Sequence, residues 1–384
     1  MIYKLSDICD YVKGKVDISK LDLCTYISTE SMLPNKAGII ESSSLPNIKQ
    51  TQIYCAGDVL VSNIRPYFKK IWYATCDGGC SNDVLVFRAK NGVSKRFLYY
   101  VLADDKFFSY SMLNSKGTKM PRGDKRAIME YKVPKFSYEE QIKIAEILGD
   151  LDDKVAVNNE INRNLSEQAE AIFKSWFENF EPWNGKRPGN WSKGVLGDYV
   201  TIKRGGSPRP IKDYLSDVGL RWLKISDVSG LQSPYVIDIS EHINELGLKS
   251  TVHLEVGALV LSNSATPGIP KILDVDTCIH DGWLYFPKSQ LSNYFLYLFY
   301  KSIRPKLISL GNGSVFTNLK TNILKEYNFL KPDKETLYRF DDLVGPMFEM
   351  MREISRENQR LSELRDYLIQ KLMSGELDVS DLNS

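Results

Sequence analysis

Two long stretches of the chain carry core-type residues at alternating spacings of four and three. In the first they are Ile144, Leu148, Leu151, Val155, Asn158, Asn162, Leu165, Ala169, Ile172 and Trp176. In the second they are Phe340, Val344, Met347, Met351, Ile354, Asn358, Leu361, Arg365, Leu368 and Leu372. This 3.5-residue period is that of a coiled-coil seam, and the two seams stay in register at a constant offset of 196. Ser137 with Glu140 forms a capping-box pattern, which predicts a helix start near Tyr138. A helix of some 40 residues is about 60 Å long, longer than one small domain can cover, so the pattern predicts a partner helix. The economical partner is the other copy, in an antiparallel pair. Asn162 and Asn358 hold equivalent seam positions; they either fix register and orientation or are tolerated, partly wet seam residues.

Outside these stretches the pattern changes. Short apolar runs such as Val84-Leu85-Val86-Phe87 and Ala258-Leu259-Val260-Leu261 are bounded by Gly, Asn and Asp, which predicts strands joined by turns. Landmarks recur in the same order at an offset of about 195 to 200. Leu5-Ser6-Asp7 returns as Leu196-Gly197-Asp198, and Gly57-Asp58-Val59-Leu60-Val61-Ser62-Asn63 as Gly257-Ala258-Leu259-Val260-Leu261-Ser262-Asn263. Phe97-Leu98-Tyr99 returns as Phe295-Leu296-Tyr297, Gly117-Thr118 as Gly313-Ser314, and Leu165-Ser166-Glu167 as Leu361-Ser362-Glu363. The shared order establishes a duplication. Pro182, Gly185, Pro188 and Gly189 forbid a continued helix between the halves. The expected organisation is a globular domain over 1–136, a helical spacer over 137–181, a second globular domain over 182–332, and a second helical spacer with tail over 333–384. The fold class is α+β: two β-rich domains separated by a pair of long antiparallel coiled-coil helices.

Composition is that of a folded globular protein, with 43% hydrophobic and 26% charged residues. No apolar run approaches the roughly 18 residues of a membrane span, and a cytoplasmic location without membrane partners is expected. The net charge of +2 conceals a division. Residues 1–138 hold 21 Lys and Arg against 13 Asp and Glu, and residues 182–332 hold 18 against 12. The first helical stretch, 139–181, holds 4 against 11. The globular parts are basic and the helices acidic, which points to a polyanionic partner for the former.

Catalytic signatures are missing. There is no phosphate-binding G-x-x-x-x-G-K-[ST] loop and no dinucleotide-type G-x-G-x-x-G. The [DN]-P-P-[FY] tetrapeptide expected of an adenine methyltransferase does not occur. His242, His253 and His280 all lie in one half of a duplicated chain, a poor supply for a His-based nuclease or hydrolase. Asp333-x-Glu335 sits where a helix begins and reads as its N-cap region. Six cysteines without a secretory signal read as thiols. Cys76 and Cys80 form a C-x3-C pair, and Cys278 lies two residues from His280, but structural zinc shows two tight ligand pairs or a full set of four. No catalytic residue, cofactor or metal is assigned to the chain.

Recognition remains. Phosphates are met by Lys and Arg, and base edges by these with Asn, Gln, Ser and Thr on reaching loops. The stretch 63–70 supplies Arg65, Lys69 and Lys70, and 116–126 supplies Lys116, Lys119, Arg122, Lys125 and Arg126. In the second half, 204–209 supplies Arg204 and Arg209, and 312–320 supplies Asn312, Ser314, Thr317, Asn318 and Lys320. Each such loop also has an ordinary reading as solvated surface. The run 172–177, with Phe173, Trp176 and Phe177, carries more aromatic surface than one seam can bury. It either packs on the adjoining domain or forms a docking surface for another protein.

Several of these motifs together resemble the specificity subunit of a type I restriction-modification system. Glu139-Glu140-Gln141-Ile142, leading through Asn164-Leu165 to Ile172-Phe173-Lys174-Ser175-Trp176-Phe177, is close to that family's first conserved region. Leu372-Met373-Ser374-Gly375-Glu376-Leu377 is similar to its closing motif, and Pro188-Gly189-Asn190-Trp191 to the entry of a target-recognition domain. Gly57-Asp58-Val59-Leu60-Val61-Ser62 resembles a recurrent strand of such domains, whereas the first domain lacks the Pro-Gly-Trp-like lead-in. The resemblance implies a non-catalytic subunit that reads double-stranded DNA, one half of a bipartite target per domain. It implies two methyltransferase subunits on the helices, restriction subunits joined through the complex, and S-adenosylmethionine, ATP and magnesium in those partners. The alternative is a coiled-coil protein scaffold without DNA readout.

Overall fold

The computed structural model describes residues 2–228, 230–310 and 319–379. The chain divides into two compact units, one formed by 1–155 with 360–384 and the other by 156–359.

In the first unit, strand Ile2–Lys4 pairs antiparallel with Lys132–Pro134 and closes the domain on itself. A four-stranded antiparallel sheet runs in the order Cys9–Tyr11, Val84–Ala89, Val59–Ser62, Ile71–Tyr73. All four residues of Val59–Ser62 are buried, as expected of a strand covered on both faces. A second sheet orders Lys15–Asp17, Gln50–Tyr54, Gly78–Cys80 and Tyr26–Ile27, the last pair parallel. The core joins Leu5, Val59, Leu85, Phe87 and Phe97 to Ile144 and Leu148 of one long helix and Ile369 and Leu372 of the other.

The second unit repeats this plan. Strand Ser192–Val195 pairs with Asn328–Lys331. One five-stranded sheet orders Val200–Arg204, Trp283–Ser289, Leu259–Ser262, Pro270–Leu273 and Tyr235–Val236. The other orders Leu215–Ser216, His242–Ile243, Leu220–Leu223, Thr277–Ile279 and Val252–Leu254. The repeat extends to the backbone. Gly57 and Gly257, which open the turns into equivalent strands, have φ of +90° and +89°, where glycine carries no Cβ penalty.

The long helices are Tyr138–Phe177 and Lys334–Ser374. The first starts where the capping box places it: the Glu140 N–H donates to Ser137 Oγ at 3.2 Å, and the Ser137 N–H to Glu140 Oε2 at 2.6 Å. Asp333 caps the second, accepting from the Thr336 N–H at 3.1 Å and from Trp191 Nε1 at 3.1 Å.

The expectation of a pair of antiparallel coiled-coil helices separating the domains is corrected. What lies between the two β-rich domains is the single long helix Tyr138–Phe177. The physical reason is where its apolar residues go. Ile144 and Leu148 enter the sheet-bearing core of the first unit, and Ala169 and Phe173 that of the second. Around mid-helix the contacts are polar. Asn158 Nδ2 donates to Asn358 Oδ1 at 2.8 Å, Asn358 Nδ2 to Asn159 Oδ1 at 2.9 Å, and Asn162 Nδ2 to Ser355 Oγ at 3.3 Å. Asn162 and Asn358 thus each bond to other residues and not to one another.

Candidate nucleic-acid interface

In the first domain, two basic stretches far apart in sequence come together. The Arg65 N–H donates to the Pro121 carbonyl at 2.8 Å, the Gly123 N–H to the Asn63 carbonyl at 3.3 Å, and Ile64 bridges to Arg122. The second stretch is a hairpin, Ser115–Lys116 against Arg122–Gly123. Gly123 is required by close approach: a Cβ there would stand 2.7 Å from Ser111 Oγ and 3.0 Å from Asn63 Oδ1.

Four cations of this face lie against acceptors, whereas the buried Nε of Arg65 has no hydrogen-bond partner among the described residues. Lys116 Nζ lies 2.7 Å from Asp124, Arg122 lies 3.1 Å from Asp83, and Lys69 lies 2.8 Å from Asp105. Lys70 Nζ donates to the Thr29 carbonyl at 2.7 Å, and burial draws its ammonium below the usual lysine range. Asp124 also caps the short helix Lys125–Met129, accepting from the N–H groups of Arg126 and Ala127. Lys116 and those N–H groups hold its carboxyl at about 2. Lys119, Lys125 and Arg126 are exposed beside them.

The second domain builds its equivalent differently. Arg204 Nε donates to the Asp281 carbonyl, Arg209 lies 3.2 Å from the Asp281 carboxylate, and Ser207 Oγ donates to the same carboxylate at 2.8 Å. Burial works to raise the Asp281 carboxyl, but Ser207, Arg204 and Arg209 outweigh it and hold the group below the usual carboxylate range. Asn263 Nδ2 donates to the Asp281 carbonyl at 3.4 Å, and its own carbonyl accepts the Leu319 N–H at 2.7 Å. Exposed Lys320 follows, at the start of the helix Thr321–Lys325. Asn312, Ser314, Thr317 and Asn318 lie outside the described residues.

Asn63 and Asn263 therefore play one part twice. Each follows an equivalent buried strand, and its backbone carbonyl accepts from the N–H of a residue in a stretch singled out by the sequence, Gly123 in 116–126 for Asn63 and Leu319 in 312–320 for Asn263. Their side chains are 8% and 2% exposed, and the Oδ1 of each lacks a hydrogen-bond partner among the described residues. Asn63 opens the stretch 63–70 and Asn263 appears only as a landmark of the repeat; neither is picked out from the sequence as a residue that holds a loop, although the recurring Ser-Asn after each strand is the signal. Asp83, Asp124 and Asp281, the carboxylates that orient the cations, left no comparable trace.

Phe173 is 3% exposed and packs on Phe295 at 5.4 Å between ring centroids. Trp176 and Phe177 pack on Phe340 at 5.9 and 4.8 Å, and Phe177 also meets Trp191. Of the two readings offered for this run, packing on the adjoining domain is where the structure places it, with the edges of Trp176 and Phe177 partly exposed.

Among the described residues no cluster of His, Cys, Asp and Glu is arranged to hold a metal ion. Cys80 and Cys278 are buried, which pushes their thiols up to about 12 and about 11. No helix of the described residues is long and apolar enough to cross a membrane.

Comparison with known proteins agrees with the duplicated plan. The family model described as the type I restriction modification DNA specificity domain matches residues 1–167 and again 188–343, each match running from a globular domain into a long helix. The HindI specificity subunit of Haemophilus influenzae is 24% identical, over 98% of this chain and 99% of that protein. The MjaIX specificity subunit of Methanocaldococcus jannaschii is 25% identical, over 76% of this chain and 71% of that protein. The crystal structure of the S subunit of a type I restriction-modification system from M. genitalium superposes with a TM-score of 0.52 at 16% identity, covering 97% of this chain and 96% of that one, and shows the same fold. Two family matches that together span most of the chain, on a twice-built basic face, establish that the chain belongs to the specificity subunits of type I restriction-modification systems.

Proposed function

We propose that each globular domain reads one half of a bipartite duplex DNA target, and that the chain directs the chemistry of partner subunits without performing any itself. The supporting observation is the repeated clamp, in which Asn63 and Asn263 hold basic loops in the same way at equivalent strand ends. Exposed Lys and Arg on these loops meet phosphates, and the cations oriented by Asp83, Asp124 and Asp281 meet base edges. Asn312, Ser314, Thr317, Asn318 and Lys320 are assigned to the second half-site on repeat position and residue type.

Modification subunits, two per chain, dock on the long helices. Val157 and Ile161 on the first, and Leu343 and Met350 on the second, are exposed apolar residues at helical spacings of four and seven. The partly exposed Trp176 and Phe177 are assigned to the same docking role, with Phe173 supporting them from the core. The partners supply S-adenosylmethionine-dependent adenine methylation, and restriction subunits with ATP and magnesium join through them.

Methylome sequencing of cells expressing the chain with its modification subunit tests this. The expected result is two short methylated motifs separated by an unread gap; a single continuous motif, or none, overturns it. Duplex affinity that falls steeply with salt separates DNA reading from a purely protein-binding scaffold, because only phosphate neutralisation releases counterions.

A further inference from the structure

The turn that follows Asn63 is held with unusual force. Arg65 and Lys69, on either side of the 3-10 turn Pro66–Phe68, have φ of +50° and +51°, and Asn35 and Lys36 beside them have +55° and +62°. Residues with side chains are sterically disfavoured there, so such conformations persist only where the surroundings over-determine them. Four of the seven non-glycine residues with positive φ among the described residues gather at this one place. The surroundings do over-determine it. Arg65 donates to the Pro121 carbonyl, Asn35 to the Phe68 carbonyl at 2.8 Å, and Lys36 to the Lys69 carbonyl at 3.0 Å. The side chains of Lys36 and Lys69 both reach Asp105.

What this rigid turn displays is apolar. Tyr67 is 49% exposed and Phe68 37%, with ring centroids 4.6 Å apart. Lys70 Nζ stands 5.8 Å from the Phe68 ring, and Arg65 and the Arg122 hairpin flank the turn. A scattered exposed aromatic needs no explanation, but two in contact, on a strained and clamped turn ringed by cations, fit a polyanion that also offers flat apolar faces. The second domain keeps the scaffold and drops the rings. Ala265, 200 residues after Arg65, has φ of +58°, and Pro267 and Gly268 stand where the aromatic pair would be.

We propose that Tyr67 and Phe68 form a preset aromatic wedge that packs against a base step in the half-site read by the first domain, and that the second domain reads its half-site without one. This rests on the DNA-reading role proposed above. Apolar side chains in contact with a base step locally unstack it, and stacking on aromatic rings tolerates sequence while favouring easily deformed steps. The two half-sites would then be distinguished by different physical means, deformation in one and charge-directed contact in the other.

The test uses the chain assembled with its modification subunit and duplexes carrying 2-aminopurine at successive positions of each half-site. Apart from the base that the methyltransferase flips out in each half-site, the wild-type complex is expected to raise fluorescence at one step of the first half-site and at none of the second. Tyr67→Ala with Phe68→Ala should abolish that signal and weaken binding by about 10- to 100-fold. The slope of log affinity against log salt should not change, since no phosphate contact is lost. Tyr67→Phe with Phe68→Tyr, which keeps both rings, should restore signal and affinity, and unchanged melting temperatures show that the variants fold. Wild-type signal and affinity in the alanine variant overturn the wedge. Loss of the modification subunit on copurification, with DNA contact otherwise intact, overturns it in favour of a protein interface. If the wild-type complex shows no salt-dependent duplex binding, the DNA-reading role itself fails, and the wedge fails with it.

Discussion

The two domains share a scaffold but place their carboxylates differently. On the candidate face of the first, Asp83 serves Arg122, Asp124 serves Lys116, and Asp105 serves Lys69 together with Lys36. On that of the second, Asp281 alone gathers Arg204, Ser207 and Arg209. Deeper in, buried Asp58 takes Arg88 from its own sheet, while buried Asp274 takes Arg352 and Arg356 from the second long helix. One domain distributes its ion pairs and the other concentrates them. The lesson is that fold and interface electrostatics are separable: equivalent strands and equivalent asparagines support different charge logic. A concentrated hub should also be fragile where a distributed set is not.

The largest contrast should appear in stability. Arg352→Ala with Arg356→Ala leaves Asp274 charged and buried, at a cost of about 3–5 kcal/mol. Arg88→Ala leaves Asp58 the Cys55 N–H at 2.8 Å, and should cost about 1–3 kcal/mol. Denaturant unfolding of the full chain measures both, and equal losses would break the comparison. Next comes DNA discrimination. Asp281→Asn removes the carboxylate charge that Arg209 meets at 3.2 Å and Arg204 at 4.0 Å, while Arg204 keeps its bond to the backbone carbonyl, so non-specific duplex affinity should rise and the ratio of specific to non-specific binding fall about 10-fold. Asp124→Asn keeps a helix cap and should change that ratio by less than about threefold; competition binding decides.

A further contrast is one of pH. Lys271 is buried, its Nζ donating to the carbonyls of Leu231 and Ser233, and burial draws its ammonium down to about 7. The unfolded chain binds this proton up to the ordinary value of 10.5. Between about 7 and 10.5 the unfolded state therefore holds more protons, and stability rises with pH. The penalty on the charged form is fully present below about 7. The slope is at most about 1.4 kcal/mol per pH unit, and Lys271→Met should abolish it in thermal melts from pH 7 to 9. The first domain's buried lysine, Lys36, lies 3.0 Å from each of two carboxylates, Asp105 and Asp366, and offers the contrast.

Much of this was legible in the sequence, for local reasons. The capping box at Ser137 and Glu140, the strand Val84–Ala89 and the repeated turn at Gly57 and Gly257 are short-range patterns, and each appears where it was read. The stretches at 63–70 and 116–126 were both chosen on charge, but only the fold shows that Arg65 and Pro121 are bonded neighbours. The helical seam misled because a 3.5-residue apolar stripe looks the same whether a helix or a sheet covers it. Ile144 and Phe173 are covered by domain cores, which periodicity alone does not specify. Asp281 is invisible for a related reason: Arg204, Ser207 and Arg209, which it gathers, lie more than 70 residues away in the chain.

The way both long helices enter each core bears on how such a chain can change its target over generations. A segment holding only 1–136 lacks Ile144, Leu148, Ile369 and Leu372, and with them part of the core that keeps its candidate face in shape. The heritable cartridge is therefore a domain together with its helical flanks. Crossovers near Asn158 and Asn162, and near Ser355 and Asn358, fall where the helices meet through hydrogen bonds and not through either apolar core. Exchange there would carry a domain across with its supporting core intact, and, on the function proposed above, a new half-site with it.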